Sequence, residues 1–354
     1  MKGRKDMKKV KWGVIACGGI ADRRTLPGMM LSDKAELVAV MDTSKDAAEN
    51  CKEKYGAKYA FTKYEDVLAL DEIDAVYIAS PVFFHKEQAI AAAKAKKHIL
   101  LEKPVALTVA DAEEIKKACE ENGVKVSIGF LMRFHGYHQK IKEIIEEGKI
   151  GEIVSIRGQF TCWYPDIEGA WRQKKATSGG GALVDMGIHV IDLIHYITGL
   201  KAVEVAAFNQ TQTFNYEVDD SSNVIMKMDN GSVAYVDSNF NIPDAASVAK
   251  LEIYGTKGSI VAHGTLAQAE VGNVDILISD DSLAYDASQA RGELTPVSLS
   301  DVPLGNMYTK EIDGLCDAIT EGTLPPVSIE SAIYDQKIIE AAYKSTETKS
   351  FVRV

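Results

Sequence analysis

The sequence predicts an α/β domain followed by an α+β domain, and three observations support this fold class. The chain has 354 residues, which is long for one hydrophobic core and sufficient for two. Through residues 1–128, short apolar runs alternate with polar-faced helical patterns. From residue 201 to about 262, strand patterns follow one another directly. Alternation indicates a parallel sheet with helices on both faces, whereas successive strands indicate a mostly antiparallel open sheet.

The first domain is predicted to contain buried strands, because its apolar runs do not alternate with polar residues. These runs are KWGVIA (11–16), AELVAVMD (35–42), DAVYIAS (74–80), HILLEK (98–103) and VKVSIGF (124–130). Helices are predicted between them at TSKDAAENCKEKYG (43–56), HKEQAIAAAKAKK (85–97) and TVADAEEIKKACEENG (108–123). Thr43 or Ser44 would cap the first of these helices, and Gly56 would end it.

Residues 129–354 are predicted to form the second domain. Its strand patterns are GEIVSIRGQF (151–160), AVEVAAF (202–208), SNVIMKM (222–228), SVAYVDSNF (232–240), KLEIYG (250–255), GSIVA (258–262) and a final SFVRV (350–354). DNGS at 229–232 is an Asn-Gly hairpin signal. Helices are expected at 137–147, 307–321 and 328–346, with loops and short strands over 264–305. The last two helices are candidates to pack back on the first domain.

Composition excludes several classes of protein. The net charge of −11 argues against nucleic acid or an anionic membrane surface as the main partner. No stretch approaches the roughly 20 apolar residues of a spanning helix, and the basic N-terminus has no apolar signal core. The 5 cysteines are scattered and form no CxxC, so we expect free thiols, a cytoplasmic protein and no structural metal site.

The loop after the first strand, Ala16–Ala21, reads Ala-Cys-Gly-Gly-Ile-Ala and resembles a dinucleotide-binding turn. A glycine usually stands where this chain has Ala16, which leaves a tight turn of another α/β protein as the alternative. In a dinucleotide-binding turn the second glycine lets the backbone approach the pyrophosphate, and the helix that follows favours negative charge. The predicted nucleotide contacts of this loop are Cys17, Gly18, Gly19 and Ile20.

Asp42 ends the second strand, 21 residues after Ala21. A carboxylate there accepts hydrogen bonds from the ribose hydroxyls and repels a 2′-phosphate, which favours NAD over NADP. Thr43, a further predicted cofactor contact, and the neighbouring Ser44 and Lys45 could still reach a phosphate. The alternative role for Asp42 is a plain helix N-cap.

Lys103 lies in LLEKPVA (100–106), at the carboxyl end of a buried strand. Ligands of open α/β sheets bind at such strand ends. Pro104 would stiffen the turn, and an ammonium on it can stabilise negative charge on a substrate oxygen. An isolated EKP sequence would be a surface loop instead, so this assignment depends on the other motifs.

Asp185 and His189 lie four residues apart in GGGALVDMGIH (179–189), on the same face of a mostly apolar helix. A histidine is a suitable base for an alcohol proton, and a carboxylate can orient it. The glycines would allow close approach of substrate or cofactor. The alternatives are a buried pair without chemistry and a metal site, although a third ligand is not evident. HGYH (135–138) could also bind metal, although an exposed helix start is the expected role.

An irregular stretch, FTCWYPDIEGAWRQKK (160–175), precedes this helix. Aromatic side chains on a loop suit the apolar faces of a sugar or cyclitol, which makes Trp163 and Trp171 candidate substrate contacts. Arg172 and the two lysines after it could bind hydroxyls or a carboxylate. The alternative is a hydrophobic cover over the sheet or an oligomer contact.

The three motifs occur in the order and spacing of the glucose–fructose oxidoreductase / inositol dehydrogenase (Gfo/Idh/MocA) family, which the chain resembles over nearly its whole length. The resemblance implies an NAD-binding Rossmann domain over 1–128 and a substrate-binding and oligomerisation domain over 129–354. It implies a catalytic set of Lys103, Asp185 and His189. It also implies further cofactor contacts, namely Ser80, Pro81, His85, Glu102, Lys103 and Arg172. Arg133 is a candidate substrate contact, although HGY follows it where the family more usually has a proline.

The resemblance predicts an NAD-dependent dehydrogenase, with NADP less favoured, that acts on a sugar, a sugar derivative or a cyclic polyol. His189 would take the hydroxyl proton, Lys103 would polarise the oxygen, and Asp185 would orient the substrate or the other two. A homodimer or homotetramer is expected. The alternatives are a glycoside hydrolase that uses transient oxidation by bound NAD, and a non-enzymatic sensor of NAD and sugar.

Overall fold

The computed structural model describes residues 9–279, 287 and 296–354, which form two compact units. The first unit runs to Leu131 and regains Ala176–Gly179 and Asn306–Gln336. The second unit contains the remaining described residues, including the end of the chain from Lys337. This division differs from a single break after residue 128, because residues near the C-terminus return to the core of the first unit. Part of the stretch 264–305 lies outside the described residues.

The secondary structure of the described residues follows the chain in this order. The strands are β1 (Val10–Ile15), β2 (Ala35–Met41), β3 (Tyr59–Phe61), β4 (Ala75–Ile78), β5 (His98–Leu101), β6 (Val126–Ile128), β7 (Ile153–Thr161), β8 (Ala202–Gln210), β9 (Ser221–Met228), β10 (Val233–Asn239), β11 (Lys250–Gly255), β12 (Gly258–His263), β13 (Asn273–Ile278), β14 (Val297–Ser298) and β15 (Val352–Arg353). The α-helices are α1 (Leu26–Met30), α2 (Lys45–Tyr55), α3 (Tyr64–Leu68), α4 (His85–Lys94), α5 (Val109–Asn122), α6 (Gly136–Glu146), α7 (Lys175–Ser178), α8 (Ile188–Thr198), α9 (Met307–Glu321) and α10 (Ile329–Thr348).

The first unit is built on a six-stranded sheet of order β3-β2-β1-β4-β5-β6, in which every pairing is parallel. This order places the carboxyl ends of all the strands at one edge. The predicted buried strands form as expected, and β3 adds an edge strand of 3 residues. The helices end and begin by the expected chemistry: the Ser44 side chain caps α2, and Gly56 ends it in the left-handed conformation with φ of 72°.

The core of the first unit explains why the chain returns to it near its C-terminus. Trp12, Val14 and Leu100 of the sheet are fully buried, and Ile312 and Leu315 of α9 belong to the same apolar cluster. Burial of such side chains stabilises a fold by roughly 1.5–3 kcal/mol each. Helix α9 is therefore part of the nucleotide-side unit rather than of the second sheet.

The second unit is built on a nine-stranded sheet of order β14-β13-β12-β11-β7-β10-β9-β8-β15. The β7–β10 pair is parallel, and the other pairs are antiparallel. Helix α8 covers one face of this sheet and is buried on most of its surface. The structure therefore confirms the predicted fold class, a parallel α/β sheet followed by a mostly antiparallel sheet.

One stretch of the described residues, Lys175–Thr198, is long and apolar enough by composition to cross a membrane. Of its most apolar window, 89% is buried inside the fold. A core helix of a globular protein has this property, and the burial accounts for the apolar composition.

The prediction of an exposed helix start at HGYH is wrong, because His135 and His138 are both 0% exposed. The His135 side chain caps α6 by accepting from the amide of Tyr137. The Nδ1 atom of His138 lies 2.8 Å from the Met132 carbonyl oxygen, and its Nε2 atom lies 3.0 Å from Thr265 Oγ1. His138 therefore joins the start of α6 to the segment that follows β12.

We predict that buried His138 makes the protein acid-sensitive. Burial, reinforced by neighbouring His135, lowers the pKa of His138 from 6.5 to about 3. The unfolded chain then takes up a proton near pH 6.5 that the folded protein refuses, so stability is complete above this pH and decreases as the pH falls. The free energy of unfolding should decrease by about 2 kcal/mol for this group between pH 6.5 and 4.5.

Denaturant unfolding at several pH values tests this prediction. His138→Gln should reduce the pH dependence over that range, while the part contributed by His195, whose pKa burial lowers to about 4, should remain. An unchanged slope in His138→Gln would contradict the assignment.

Candidate functional site

The nucleotide loop follows β1 and has a backbone shaped for close approach. Ala16 has a φ of 63° and Gly19 a φ of 54°, both in the left-handed region. A Cβ atom at Gly18 would lie 3.3 Å from Asp42 Oδ2, so the loop tolerates little bulk there. Cys17 is fully buried with its thiol near the Ala47 carbonyl, so only its backbone is available to a ligand. Gly19 and Ile20 are not buried.

Asp42 is held at the end of β2 by two backbone amides. Its Oδ2 atom accepts from Gly18 N at 3.3 Å, and its Oδ1 atom accepts from Ser44 N at 3.0 Å. The carboxylate thus lies beside the nucleotide loop, while the adjoining Thr43 is exposed. It is Ser44, not Asp42, that caps the helix, because the Ser44 hydroxyl accepts from Ala47 N. The alternative role of Asp42 as a helix N-cap is therefore wrong.

Ser80, Pro81 and His85 form the turn after β4. The Ser80 hydroxyl donates to Gln88 Oε1 at 2.6 Å. The two ring nitrogens of His85 lie 2.9 Å from the carbonyl oxygens of Ser80 and Pro104. Burial lowers the pKa of His85, which is 1% exposed. His85 therefore connects two strand-end turns through their backbones, a role that the sequence did not indicate.

Glu102 and Lys103 follow β5 at the same edge of the sheet. The Glu102 side chain turns inward and accepts from the Tyr77 hydroxyl at 2.5 Å, while Lys103 is half-buried. Gly129 lies against Glu102, since a Cβ atom there would be 3.2 Å from Glu102 Oε2. The Lys103–Pro104 peptide bond is cis. Lys103 thus stands on a turn whose neighbours on both sides are fixed.

In the second unit, Asp185 lies in a π-helical turn, Leu183–Gly187, that leads into α8. Arg172 Nε is 3.8 Å from Asp185 Oδ1, and the Arg172 guanidinium also lies 4.3 Å from the centre of the Trp171 ring. Tyr164 adjoins them, and burial, modified by Arg172 and Asp185, raises the pKa of its hydroxyl. The aromatic stretch and the π-helical turn thereby supply one polar cluster.

His189 lies in the first turn of α8 and is 4% exposed. The Phe160 ring approaches it edge-on, with 6.2 Å between ring centres. The structure therefore places the three predicted catalytic residues in two groups. Lys103 belongs to the first unit, and Asp185 and His189 belong to the second.

Two of the glycines before this helix are required by the packing of the second unit. A Cβ atom at Gly181 would lie 1.9 Å from the Asp219 carbonyl oxygen, and one at Gly180 would lie 2.0 Å from the Tyr343 hydroxyl. Asp219 accepts from the amides of Gly181 and Leu183, each at 2.9 Å, and from the Tyr343 hydroxyl at 2.6 Å. Packing therefore requires glycine at both positions, which the sequence did not reveal because Asp219 and Tyr343 are distant along the chain. The close approach of substrate or cofactor to these glycines stays a prediction.

A loop that packs against the aromatic stretch is held by a second acid, Asp220, which the sequence also did not single out. Asp220 accepts from the amides of Gln212, Thr213 and Phe214 at 2.7–2.8 Å. Phe214 in turn contacts Trp163 edge-on, with 5.2 Å between ring centres. Trp163 is 44% exposed, which leaves part of its ring open to a ligand.

Arg133 has contacts of another kind. Its guanidinium forms an ion pair with Asp192 of α8, whose side chain is 1% exposed, and lies 5.3 Å from the centre of the Tyr196 ring. This pair ties the start of α6 to α8. These contacts account for Arg133 without a substrate, and they give no support to the hypothesis that it binds one.

The described residues contain no group of three or more His, Cys, Asp or Glu side chains arranged to hold a metal ion. The residues of the first unit do fit a nicotinamide dinucleotide. A glycine loop with exposed backbone, a carboxylate at the end of the second strand and a lysine turn at the end of the fifth all lie at the carboxyl edge of a parallel sheet. This arrangement defines an oxidoreductase of the Rossmann class.

Comparison with known families agrees. Residues 10–130 match the oxidoreductase family with an NAD-binding Rossmann fold, and residues 138–261 match the GFO/IDH/MocA C-terminal domain. The chain belongs to the GFO/IDH/MocA family of oxidoreductases, and the predicted family is confirmed.

Three proteins illustrate the similarity. The chain is 26% identical to the 1,5-anhydro-D-fructose reductase of Ensifer adhaerens, with 96% of each chain covered. It is 27% identical to the NADP⁺-dependent scyllo-inositol 2-dehydrogenase of Bacillus subtilis, over 99% of this chain and 97% of that protein. A levoglucosan dehydrogenase solved with NADH and levoglucosan superimposes with a TM-score of 0.86 at 25% identity, covering 98% of this chain and 100% of that one.

We predict that Ala16→Gly stabilises the protein. Ala16 has a φ of 63°, where a Cβ atom is strained and glycine is not. The free energy of unfolding should rise by about 1 kcal/mol. Ala21→Gly in the helical turn that follows should instead lower it, since Ala21 has no such strain. Denaturant unfolding of the two variants should give opposite signs, and a destabilised Ala16→Gly would refute the strain.

Proposed function

We propose that this protein is an NAD-dependent dehydrogenase that acts on a secondary alcohol, or the corresponding carbonyl, of a sugar, sugar derivative or cyclic polyol. The main support is the occurrence of a lysine at the end of β5 and an Asp–His pair at the α8 start in a chain of this family. The names of its relatives describe reactions on an anhydro sugar, an inositol and levoglucosan.

The bound dinucleotide supplies a hydride acceptor or donor. The backbone of residues 17–20, the Asp42 carboxylate and the turn at Ser80 and Pro81 would hold it. Among the chain's own residues, the Lys103 ammonium donates to the substrate oxygen and stabilises negative charge there. His189 takes the hydroxyl proton in oxidation and returns it in reduction.

Asp185 is the group that orients this chemistry in the proposal. Its Oδ1 atom lies 3.8 Å from Arg172 Nε, and a carboxylate oxygen can accept a hydrogen bond from a substrate hydroxyl. Trp163 and Trp171 offer apolar faces for the C–H faces of a sugar ring. A substrate with many hydroxyls and no large charge suits this mixture of aromatic rings and a balanced ion pair.

A substrate screen tests the function directly. The purified protein is mixed with NAD and, one at a time, with glucose, xylose, levoglucosan and the inositols, and NADH is followed by absorbance. We expect stoichiometric NADH with at least one of them. Release of a free sugar from a glycoside without net NADH would favour the hydrolase instead, and NAD binding without any turnover would favour the sensor.

Lys103→Ala should lower kcat by at least about a thousandfold on the substrate so identified, because it removes the donor to the reacting oxygen. NAD affinity, measured by calorimetry, should change by less than about threefold. Lys97→Ala is the control in the same unit, since the Lys97 ammonium donates to the Leu70 and Ile73 carbonyls below β5. Wild-type turnover in Lys103→Ala would refute the assignment.

The proposed preference for NAD rests on Asp42, whose carboxylate lies beside the Gly18 amide. We expect Asp42→Ser to shift the NADP-to-NAD ratio of kcat/KM by at least about tenfold toward NADP, since it removes the charge that repels a 2′-phosphate. Asp46→Ser, in the first turn of α2, is the matched control. An unchanged ratio in Asp42→Ser would contradict the preference.

We also propose that the protein is cytoplasmic, because free cysteines are typical of that reducing compartment.

We further propose that the protein is a homodimer or a larger homo-oligomer formed through the open face of the nine-stranded sheet. The face opposite α8 carries Ile225 and Tyr235, which are 40% and 41% exposed. They neighbour each other across β9 and β10, and Arg157 lies over the Tyr235 ring at 5.8 Å. Aromatic and aliphatic side chains with an arginine are typical of interface centres.

Molar mass from light scattering tests this association. Wild-type protein at about 10 µM should have a multiple of the mass of one chain, and a double variant, Ile225→Asp with Tyr235→Asp, should be monomeric because two charges would be buried. Leu324→Asp, at an 88% exposed leucine outside this face, is the control and should stay associated. A monomeric wild type would refute the proposal.

A further inference from the structure

We propose that Tyr77 is a positioning residue for Lys103, acting through the side chain of Glu102. This inference rests on the proposed role of Lys103 as the donor to the reacting oxygen. Tyr77 lies inside β4 and is fully buried, so the sequence pattern presents it only as a core residue. Its hydroxyl is nevertheless the middle member of a series of side-chain hydrogen bonds within the first unit.

This series of hydrogen bonds begins at Thr25, in the helical turn after the nucleotide loop. Thr25 Oγ1 donates to the Tyr77 hydroxyl at 3.0 Å, and the Tyr77 hydroxyl donates to Glu102 Oε1 at 2.5 Å. Burial, with the charge of Glu102, raises the pKa of Tyr77 well above its ordinary value. The hydroxyl therefore keeps its proton and remains a donor to the carboxylate throughout the working range of pH.

A second acid makes this hydrogen bond necessary. Glu311 of α9 is 1% exposed, and its Oε1 atom has no hydrogen-bond partner. Burial, with the charge of Glu102, raises the pKa of Glu311 well above its ordinary value. Burial therefore favours the neutral form of Glu311. Without the Tyr77 hydroxyl, the Glu102 side chain would lose this buried donor.

The opposite flank of Lys103 is fixed independently. The Pro104 carbonyl oxygen lies 2.9 Å from His85 Nδ1, and His85 is itself buried. Lys103 therefore lies between Glu102, whose side chain accepts from Tyr77, and Pro104, whose carbonyl oxygen contacts His85. Removal of the Tyr77 hydroxyl should release the first flank and leave the second in place. The ammonium would then spend less time in its productive position, and misplacement of a reacting group lowers the rate steeply.

Tyr77→Phe tests the inference, because it keeps the ring in the core and removes only the hydroxyl. Tyr64→Phe is the matched control: the Tyr64 hydroxyl also donates to a glutamate, Glu87, at 2.8 Å, on the surface of the same unit. The first measurement is hydrogen–deuterium exchange of the peptide that covers residues 102–105, which needs no substrate. We expect exchange to accelerate at least about threefold in Tyr77→Phe and to match the wild type in Tyr64→Phe.

The second measurement separates positioning from a structural role. On the identified substrate, Tyr77→Phe should lower kcat on the order of tenfold, with the Kd for NAD within about twofold of wild type. In a Glu102→Leu background, which has no acceptor for the Tyr77 hydroxyl, Tyr77→Phe should have no further effect, since the two residues act through one hydrogen bond.

Wild-type exchange over 102–105 in Tyr77→Phe, wild-type kcat, or effects that add in the double variant would each overturn the inference. Exchange is measured without substrate, so it judges the Tyr77 clamp even where no sugar is oxidised. A protein that shows the expected exchange but oxidises no sugar would contradict the proposed dehydrogenase alone.

Discussion

The constraint on which the first unit depends is the parallel direction of its six strands. Parallel strands need a crossover between each pair, so every strand ends at the same edge. The turns after β1, β2, β4 and β5 therefore come together, although the ends of β1 and β5, Ile15 and Leu101, are 86 residues apart in sequence. The buried side chains of Tyr77 and His85 then fix these turns relative to one another. Chemistry at this edge follows from the sheet direction, and its accuracy follows from the buried polar groups.

In the second unit, two adjacent acids fix the backbone segments near the candidate site residues. Asp219 accepts from the amides at the start of the π-helical turn, and Asp220 accepts from the amides of the loop that carries Phe214. Without these acids, the backbone amides would be buried without a hydrogen-bond partner or would have to bind water. One short segment before β9 thereby fixes both the helix with Asp185 and His189 and the aromatic residues beside Trp163.

Much of the architecture could be predicted from local pattern. The buried strands, the long helices and the caps at Ser44 and Gly56 are encoded within a few residues, so periodicity and turn chemistry reveal them. The position of Asp42 and Lys103 at strand ends follows from the same patterns. The family resemblance supplied the rest of the proposed catalytic set.

What the sequence did not reveal depends on partners far along the chain. Gly180 and Gly181 are small because Tyr343 and Asp219 occupy the space beside them, and neither neighbour is visible locally. His138 looks like a surface residue at a helix start, and only Thr265 and Met132 explain its burial. Tyr77 resembles any other aromatic residue of a buried strand. Its hydrogen bond is to Glu102, which follows the neighbouring strand β5 and lies 25 residues further along the chain.

Hydride transfer to the nicotinamide is the central claim, and the transfer of deuterium measures it most directly. The protein is incubated with NAD and perdeuterated glucose or perdeuterated myo-inositol, and the NADH formed is weighed by mass spectrometry. The proposed dehydrogenase predicts one deuterium in each molecule of NADH, located on the nicotinamide ring by fragmentation. NADH without deuterium would contradict hydride transfer from the substrate. So would conversion of a sugar without any NADH, both with these two compounds and with the sugars of the wider screen.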